Sequence, residues 1–428
     1  MRRVEPAGVL TGHIAVPGDK SISHRALLIG ALTDAEAHVR GFGRSRDTES
    51  TIAAVRALGV EVDEPAADEL VVHGVGLRGL RAPGAPIDAG NAGTLLRLLM
   101  GILAGQAGRF ELTGDESLRA RPMDRVAEPL VRMGARISTA DGLPPVVIDG
   151  TDALKGIEYA LPVASAQVKS AILLAALNAD GGTTVVEPAP TRDHTELMLA
   201  AAGARVIRRP ASVTVEPASR LQLHEVVVPG DFSAAAPFIV AATLLAGSDL
   251  TIHDVGLNPR RTGLLDVLER MGARISVFNR RRAGGEAVGD LEIQSAELTA
   301  ADVTPEEVPR LIDELPLFAL AAALARGDSK LSGAGELRVK ESDRIEAVTT
   351  TLRALGGHIR ARDDGFDVRG VPARPKGGRV GSGGDHRVAM LAAVAGLVSR
   401  EGVDVEDADA AAISFPGFFD LLDSLSRR

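Results

Sequence analysis

The sequence predicts a mixed α/β (α+β) fold in two domains, assembled from six copies of a βαβαββ unit, three to a domain. Three observations carry that prediction. A polar loop runs into an Ala/Leu-rich helix six times, with markers at Lys20, Asn91, Ser165, Asp231, Asp313 and Asp385, spaced by 71, 74, 66, 82 and 72 residues. A second helix ends in a related way in the first five units, at Leu58-Gly59, Met133-Gly134, Ala202-Gly203, Met271-Gly272 and Leu355-Gly356. Self-similarity at a fixed step signals a repeat architecture. Finally, 428 residues exceed one ordinary core, and Val16-Pro17-Gly18-Asp19 recurs as Val228-Pro229-Gly230-Asp231.

The elements follow in order within each unit. The polar openings are helix N-termini, where free N–H groups and the positive dipole end suit anions. Strand-like runs follow the first helices, at Ala37–Arg40, Arg109–Leu112, Thr183–Val186 and Asp249–Ile252. The Gly closing each second helix is the left-handed C-cap that precedes a strand. The sixth unit stops after its second helix, at Leu421–Leu425. The paired Pro-Gly turns predict a hinge near 16–19 and 228–231, dividing the chain into 20–228 and 1–19 plus 229–428. Arg280 to Gly285 reads as a solvated hairpin tip.

Composition bounds the function. Aromatics are 3% and Trp is absent, so the core is Ala, Leu and Val and there is no stacking platform for single-stranded nucleic acid. A net charge of −9 disfavours a polyanion or acidic membrane as bulk partner. Cysteine is absent, which excludes disulfides, thiolate metal sites and Cys nucleophiles. No apolar leader follows Met1-Arg2-Arg3, and the longest apolar runs are too short to span a bilayer. The expectation is a soluble, cytoplasmic protein.

The charged openings carry the chemistry. Gly18-Asp19-Lys20-Ser21 fails as a P-loop, because Asp19 and Ile14 stand where glycines are required. What remains is Lys20, Ser21 and Arg25 at one helix start. Gly90-Asn91-Ala92-Gly93-Thr94 lets backbone N–H groups approach an anion, with Arg97 a turn later. Arg121 precedes Pro122, which suits the first turn of a helix. Arg338-Val339-Lys340-Glu341-Ser342-Asp343-Arg344 is either a solvated helix face with Lys340 and Arg344 at i,i+4 or a functional cluster. Asp313, beside Glu314 in an apolar segment, is either an N-cap or a carboxylate suited to proton transfer. His386 and Arg387 repeat the theme at the last opening.

These motifs, with Ser165-Ala166-Gln167-Val168-Lys169-Ser170, Asp313-Glu314-Leu315-Pro316 and Gly384-Asp385-His386-Arg387, resemble the 5-enolpyruvylshikimate-3-phosphate synthase family over nearly the whole chain. The resemblance implies two inside-out barrel domains closing over the substrates between them. It implies transfer of an enolpyruvyl group from phosphoenolpyruvate to the 5-hydroxyl of shikimate 3-phosphate, with phosphate released. By position it assigns shikimate 3-phosphate to Lys20, Ser21, Arg25, Ser165, Ala166, Gln167, Arg192, Asp313 and Lys340. Phosphoenolpyruvate falls to Lys20, Asn91, Gly93, Arg121, Gln167, Arg344 and Arg387. Asp313 and Glu341 become the proton-transfer groups, with Lys20 and His386 completing the catalytic set; such chemistry calls for no metal or redox cofactor, and a monomer is expected. The sister transferase acting on a UDP-sugar usually carries a loop Cys, which this chain cannot supply. One departure stands out: family members often have Lys before the Ser/Thr-Phe-Pro near the C-terminus, and here Ile413 occupies that place.

Overall fold

A computed structural model describes residues 1–427. The chain divides into two compact units, one of residues 1–17, 230–281 and 287–428, the other of residues 18–229 and 282–286.

In the 18–229 unit, three sheets repeat one order. Strand Glu225–Val227 runs parallel to Glu36–Arg40, which pairs antiparallel with Glu69–His73, and that strand with Glu61–Ala66. Ile87–Asp88, Arg109–Thr113, Leu143–Asp149 and Arg136–Ala140 form the second sheet in the same order. Glu158–Ala160, Thr183–Val186, Ser212–Val215 and Val206–Arg209 form the third. The first sheet therefore takes its leading strand from the far end of the segment, which closes the three repeats on one another.

Helices Lys20–Ala31, Gly93–Ala104 and Ala166–Ala176 are buried on almost every face inside this unit. A helix apolar all round belongs in an interior, and small side chains let such helices approach closely. A Cβ on Gly101 would lie 2.1 Å from the carbonyl oxygen of Ala171, so the second and third helices meet backbone to backbone there.

The other unit has the same plan with variations. Helices Phe232–Leu244, Leu315–Leu324 and His386–Val398 form its buried centre. Its sheets have five, three and three strands. In the second, the leading strand is reduced to isolated parallel bridges, Thr299 with Arg326 and Val303 with Leu331. In the third, the N-terminal strand Arg2–Val4 pairs with Val403–Glu406 and supplies an outer strand. That strand serves the sixth repeat, whose chain ends soon after its second helix, Phe418–Leu425.

All six predicted first helices form, and the C-cap glycines Gly59, Gly134, Gly203, Gly272 and Gly356 all have positive φ, between 88° and 99°. One local expectation is corrected. Pro122 lies before the N-cap Met123 of helix Asp124–Arg132, not within its first turn. The hairpin after Arg280 is present, with Gly284 and Gly285 both at positive φ as a two-residue turn requires. Residues 280–285 are exposed apart from a half-buried Ala283, as expected of a solvated tip, and Glu286 just beyond them is buried, 2.6 Å from His194 Nδ1. Among the described residues, no helix is long and apolar enough to cross a membrane.

Candidate functional site

In the 18–229 unit the polar groups gather where three buried helices begin. Asp19 caps the first, accepting from Ile22 N at 2.9 Å, which places Lys20 at the first helical position. Lys20 Nζ lies 2.7 Å from Asp47 Oδ2. The approach to this start is backbone-tight: a Cβ on Gly18 would sit 1.8 Å from the carbonyl oxygen of Gly41. Arg25 is buried, with each of its three nitrogens donating once: Nε to Thr195 Oγ1 at 2.7 Å, one Nη to the Ser21 carbonyl and the other to Ser170 Oγ, both at 2.9 Å. Burial lowers its pKa to about 10, opposed by Glu196 and Asp19 and reinforced by the positive charge of Arg192. It stays protonated at neutral pH. Between Lys20 and Arg25, His24 is held well below the ordinary imidazole range, first by burial and then by those two cations. Ser21 and Arg192 remain half-buried.

The second helix start joins the third. Arg121 donates to Asn91 Oδ1 at 2.7 Å and Ser117 Oγ at 3.1 Å. Arg97 donates to Gln167 Oε1 at 2.8 Å, and Gln167 Nε2 donates to Thr94 Oγ1 at 2.9 Å. A Cβ on Gly93 would stand 2.8 Å from an Arg97 Nη and 3.3 Å from an Arg121 Nη, so the missing side chain is what lets two guanidiniums converge. Ser165 caps the third helix through Val168 N at 3.4 Å, leaving Ala166 and Gln167 at its partly exposed start.

In the other unit the acid–base residues form one network. Asp313 faces Arg261 at 3.3 Å and Arg344 at 3.4 Å, with Arg387 at 4.0 Å. It is not the N-cap residue: that place at helix Leu315–Leu324 belongs to Glu314, whose side chain makes no capping bond. Glu314 is fully buried, receives the Ser233 hydroxyl, and lies 3.8 Å from Arg261 and 3.9 Å from Arg387. Arg344 donates to Glu341 at 2.6 Å and to both oxygens of Asp385. Burial alone would lower the Arg344 pKa, but Asp385, Glu341 and Asp313 together raise it above its usual value. Asp385 caps helix His386–Val398 through Arg387 N at 2.8 Å, which sets His386 and Arg387 at its buried start.

The 338–344 segment is therefore not a solvated helix face. Gly335–Val339 is a short 3-10 turn, Lys340 to Ser342 lie outside regular helix, and the following helix begins at Arg344, which is 2% exposed. Lys340 is half-buried immediately before Glu341. Ile413 ends the turn Ala408–Ile413 and packs against the apolar core of its unit.

Reading the first-helix openings missed Asp47, Glu187, Glu196, Arg261 and the role of Lys169. Asp47, Glu196 and Arg261 lie at or near second-helix starts and Glu187 at a strand end, away from the first-helix openings that carry the motifs. Lys169 did carry a signal, as the lone charge in the apolar run Val168 to Ala176.

The comparisons agree with the motifs. The sequence profile of EPSP synthase (3-phosphoshikimate 1-carboxyvinyltransferase) matches residues 4–422. The 3-phosphoshikimate 1-carboxyvinyltransferase of Halorhodospira halophila is 51% identical over 421 residues, 98% of this chain and 95% of that protein. The protein of the same name from Alkalilimnicola ehrlichii is 50% identical over 419 residues, 98% and 94% of the two chains. Among solved structures, EPSP synthase from Acinetobacter baumannii superposes with a TM-score of 0.88 at 42% identity, covering 99% of this chain and 97% of that one. The enolpyruvyl transferase NikO from Streptomyces tendae shares the fold, with a TM-score of 0.77 at 19% identity over 99% and 96% of the chains. With likeness running nearly end to end, and the charged helix starts built as described, the chain belongs to the EPSP synthase (3-phosphoshikimate 1-carboxyvinyltransferase) family.

Proposed function

We infer that the chain transfers the enolpyruvyl group of phosphoenolpyruvate to the 5-hydroxyl of shikimate 3-phosphate and releases phosphate, a step of chorismate and aromatic amino-acid synthesis. The observation that carries this is 51% identity to a named transferase across 98% of the chain.

The residue roles extend that reading. Shikimate 3-phosphate engages Lys20, Ser21, Arg25, Ser165, the Ala166 backbone, Gln167 and Arg192, together with Asp313 and Lys340. Phosphoenolpyruvate engages Lys20, Asn91, Gly93, Arg121 and Gln167, together with Arg344 and Arg387. The two substrates bring two phosphates and two carboxylates. Two unit charges 4 Å apart repel by about 4 kcal/mol at an effective dielectric of 20, so a dense set of cations is a requirement of binding both. Arginine forks suit both kinds of anion.

The chemistry is an addition followed by an elimination. The substrate hydroxyl adds to the substituted carbon of the enol while a proton goes to its methylene, giving a tetrahedral ketal phosphate. Loss of phosphate and of a methyl proton restores the double bond in the product. Asp313 takes the hydroxyl proton, held between the guanidiniums of Arg261 and Arg344. Glu341 delivers the proton to carbon, with Arg344 orienting it. Lys20 and His386 complete the catalytic set. The chain acts on these small anions as a cytoplasmic monomer; its net charge of −9 suits a dissolved protein.

The test is phosphate release by the purified chain. Release that requires both substrates together, and that fails with UDP-N-acetylglucosamine as acceptor, supports the reading. No release from the shikimate pair overturns it.

A further inference from the structure

Lys169 is fully buried. An ammonium taken out of water is costly unless paired and hydrogen-bonded. Its Nζ lies 3.0 Å from Glu187 Oε1 and 2.7 Å from Glu196 Oε1, and donates to the Thr191 carbonyl at 3.5 Å. Glu187 Oε1 also accepts from Thr191 N at 3.1 Å and from the Thr191 hydroxyl. The lysine and this glutamate thus grip Thr191 by its amide, its carbonyl and its side chain. Arg192 is the next residue.

The second arm runs through Ser170, the neighbour of Lys169. Its hydroxyl lies 2.9 Å from an Arg25 Nη and 2.7 Å from Thr195 Oγ1, and Thr195 also receives Arg25 Nε. Glu196, next to Thr195, returns to Lys169. One buried ammonium therefore ties helix Ala166–Ala176 to the end of strand Thr183–Val186 and to the start of helix His194–Ala201. Two carboxyl groups thus surround the one lysine in this cluster, which adjoins Arg25 and Arg192. Glu196 supports the positive charge of Arg25, which burial and Arg192 oppose.

We propose that Lys169 is a positioning residue for shikimate 3-phosphate, its clamp on Glu187, Glu196 and Thr191 holding Arg192 and Arg25 in one arrangement for an anionic ligand. Buried ion clusters are often replaceable by apolar side chains with little loss of stability. The geometry assigns this one to orientation.

The proposal rests on the reading that Arg25 and Arg192 bind shikimate 3-phosphate. The variant Lys169→Met/Glu187→Gln keeps the net charge of the cluster while removing the clamp. It is compared with wild type, each with and without Arg192→Ala. We expect the KM for shikimate 3-phosphate to rise at least about tenfold, with kcat and the KM for phosphoenolpyruvate within about threefold. Arg192→Ala, worth about tenfold or more in wild type, costs less than about threefold in the variant, because the two act through one another. An unchanged KM for shikimate 3-phosphate, a parallel loss in all three parameters, or an equal Arg192→Ala cost in both backgrounds overturns the proposal. If the double variant does not fold, Lys169→Arg replaces it, with the same selective rise expected and an unchanged KM overturning. Inactive wild type signals failure of the functional reading itself, whereas active wild type with additive effects signals failure of the clamp alone.

Discussion

Arg344 grips Asp385 with two donors, Nε to Oδ2 at 2.9 Å and Nη2 to Oδ1 at 3.3 Å, and both side chains are withdrawn from solvent. The same carboxylate caps the helix that presents Arg387 and receives the Ser342 hydroxyl. One aspartate thus orders two of the cations proposed to bind phosphoenolpyruvate.

That arrangement makes stability acid-sensitive. Burial alone would raise the Asp385 pKa, but Arg344 and then His386 pull it below the ordinary value. A carboxyl with a lower pKa folded than unfolded contributes stability that is fully present above its unfolded value near 3.9 and is lost as pH falls through the folded value. Asp385→Asn should lower stability at pH 7 by about 3 kcal/mol, because it strips a partner from a buried charge. It should also flatten the fall in stability below pH 4. Urea titrations of both proteins from pH 7 to pH 3 check this; parallel curves would refute it.

His24 produces a second, separate pH dependence. Its pKa is lowered by burial, then by Lys20 and Arg25. The unfolded chain therefore binds a proton that the folded chain refuses. Stability from this site is complete above about pH 6.5 and declines below it, by at most about 1.4 kcal/mol per pH unit. His24→Gln should remove that slope between pH 6.5 and pH 5, measured by denaturant midpoints, where wild type shows it.

Asp313→Ala should lower turnover by at least about 100-fold, the usual scale for a proton-transfer group. Arg344 keeps Glu341 and Asp385 in that variant, so the network survives and the protein folds. Phosphate-release kinetics and calorimetric binding of shikimate 3-phosphate are the measurements. Turnover near that of wild type removes Asp313 from the mechanism.

Gly93→Ala should raise the KM for phosphoenolpyruvate by about tenfold while leaving shikimate 3-phosphate binding nearly unchanged. The new methyl displaces the guanidinium ends of Arg97 and Arg121, which are flexible, so the melting temperature should hold. An unaltered KM would show that neither guanidinium responds to the added methyl.

How far the molecule was legible in the sequence varies with the kind of interaction. The helix starts at Lys20, Gly93 and His386 could be placed because capping and glycine chemistry are local. Pro122 was misplaced by two residues, because the preceding short helix Glu116–Arg119 shifts where the next one begins. The Asp47, Arg261 and Glu187 contacts join residues 27, 52 and 18 positions from their partners Lys20, Asp313 and Lys169, and nothing in local spacing reports such pairs.

The sequence by itself determined the repeat, the buried Ala/Leu helices and the cations at their starts, because periodicity, capping and left-handed glycines act over a few residues. Only the tertiary structure decided that Arg344 is buried among three carboxylates, that Asp313 is paired with guanidiniums and is not the N-cap residue, and that Lys169 is buried between two glutamates. Those outcomes depend on which distant side chains share a dehydrated interior, where a charge must find its partner across the fold.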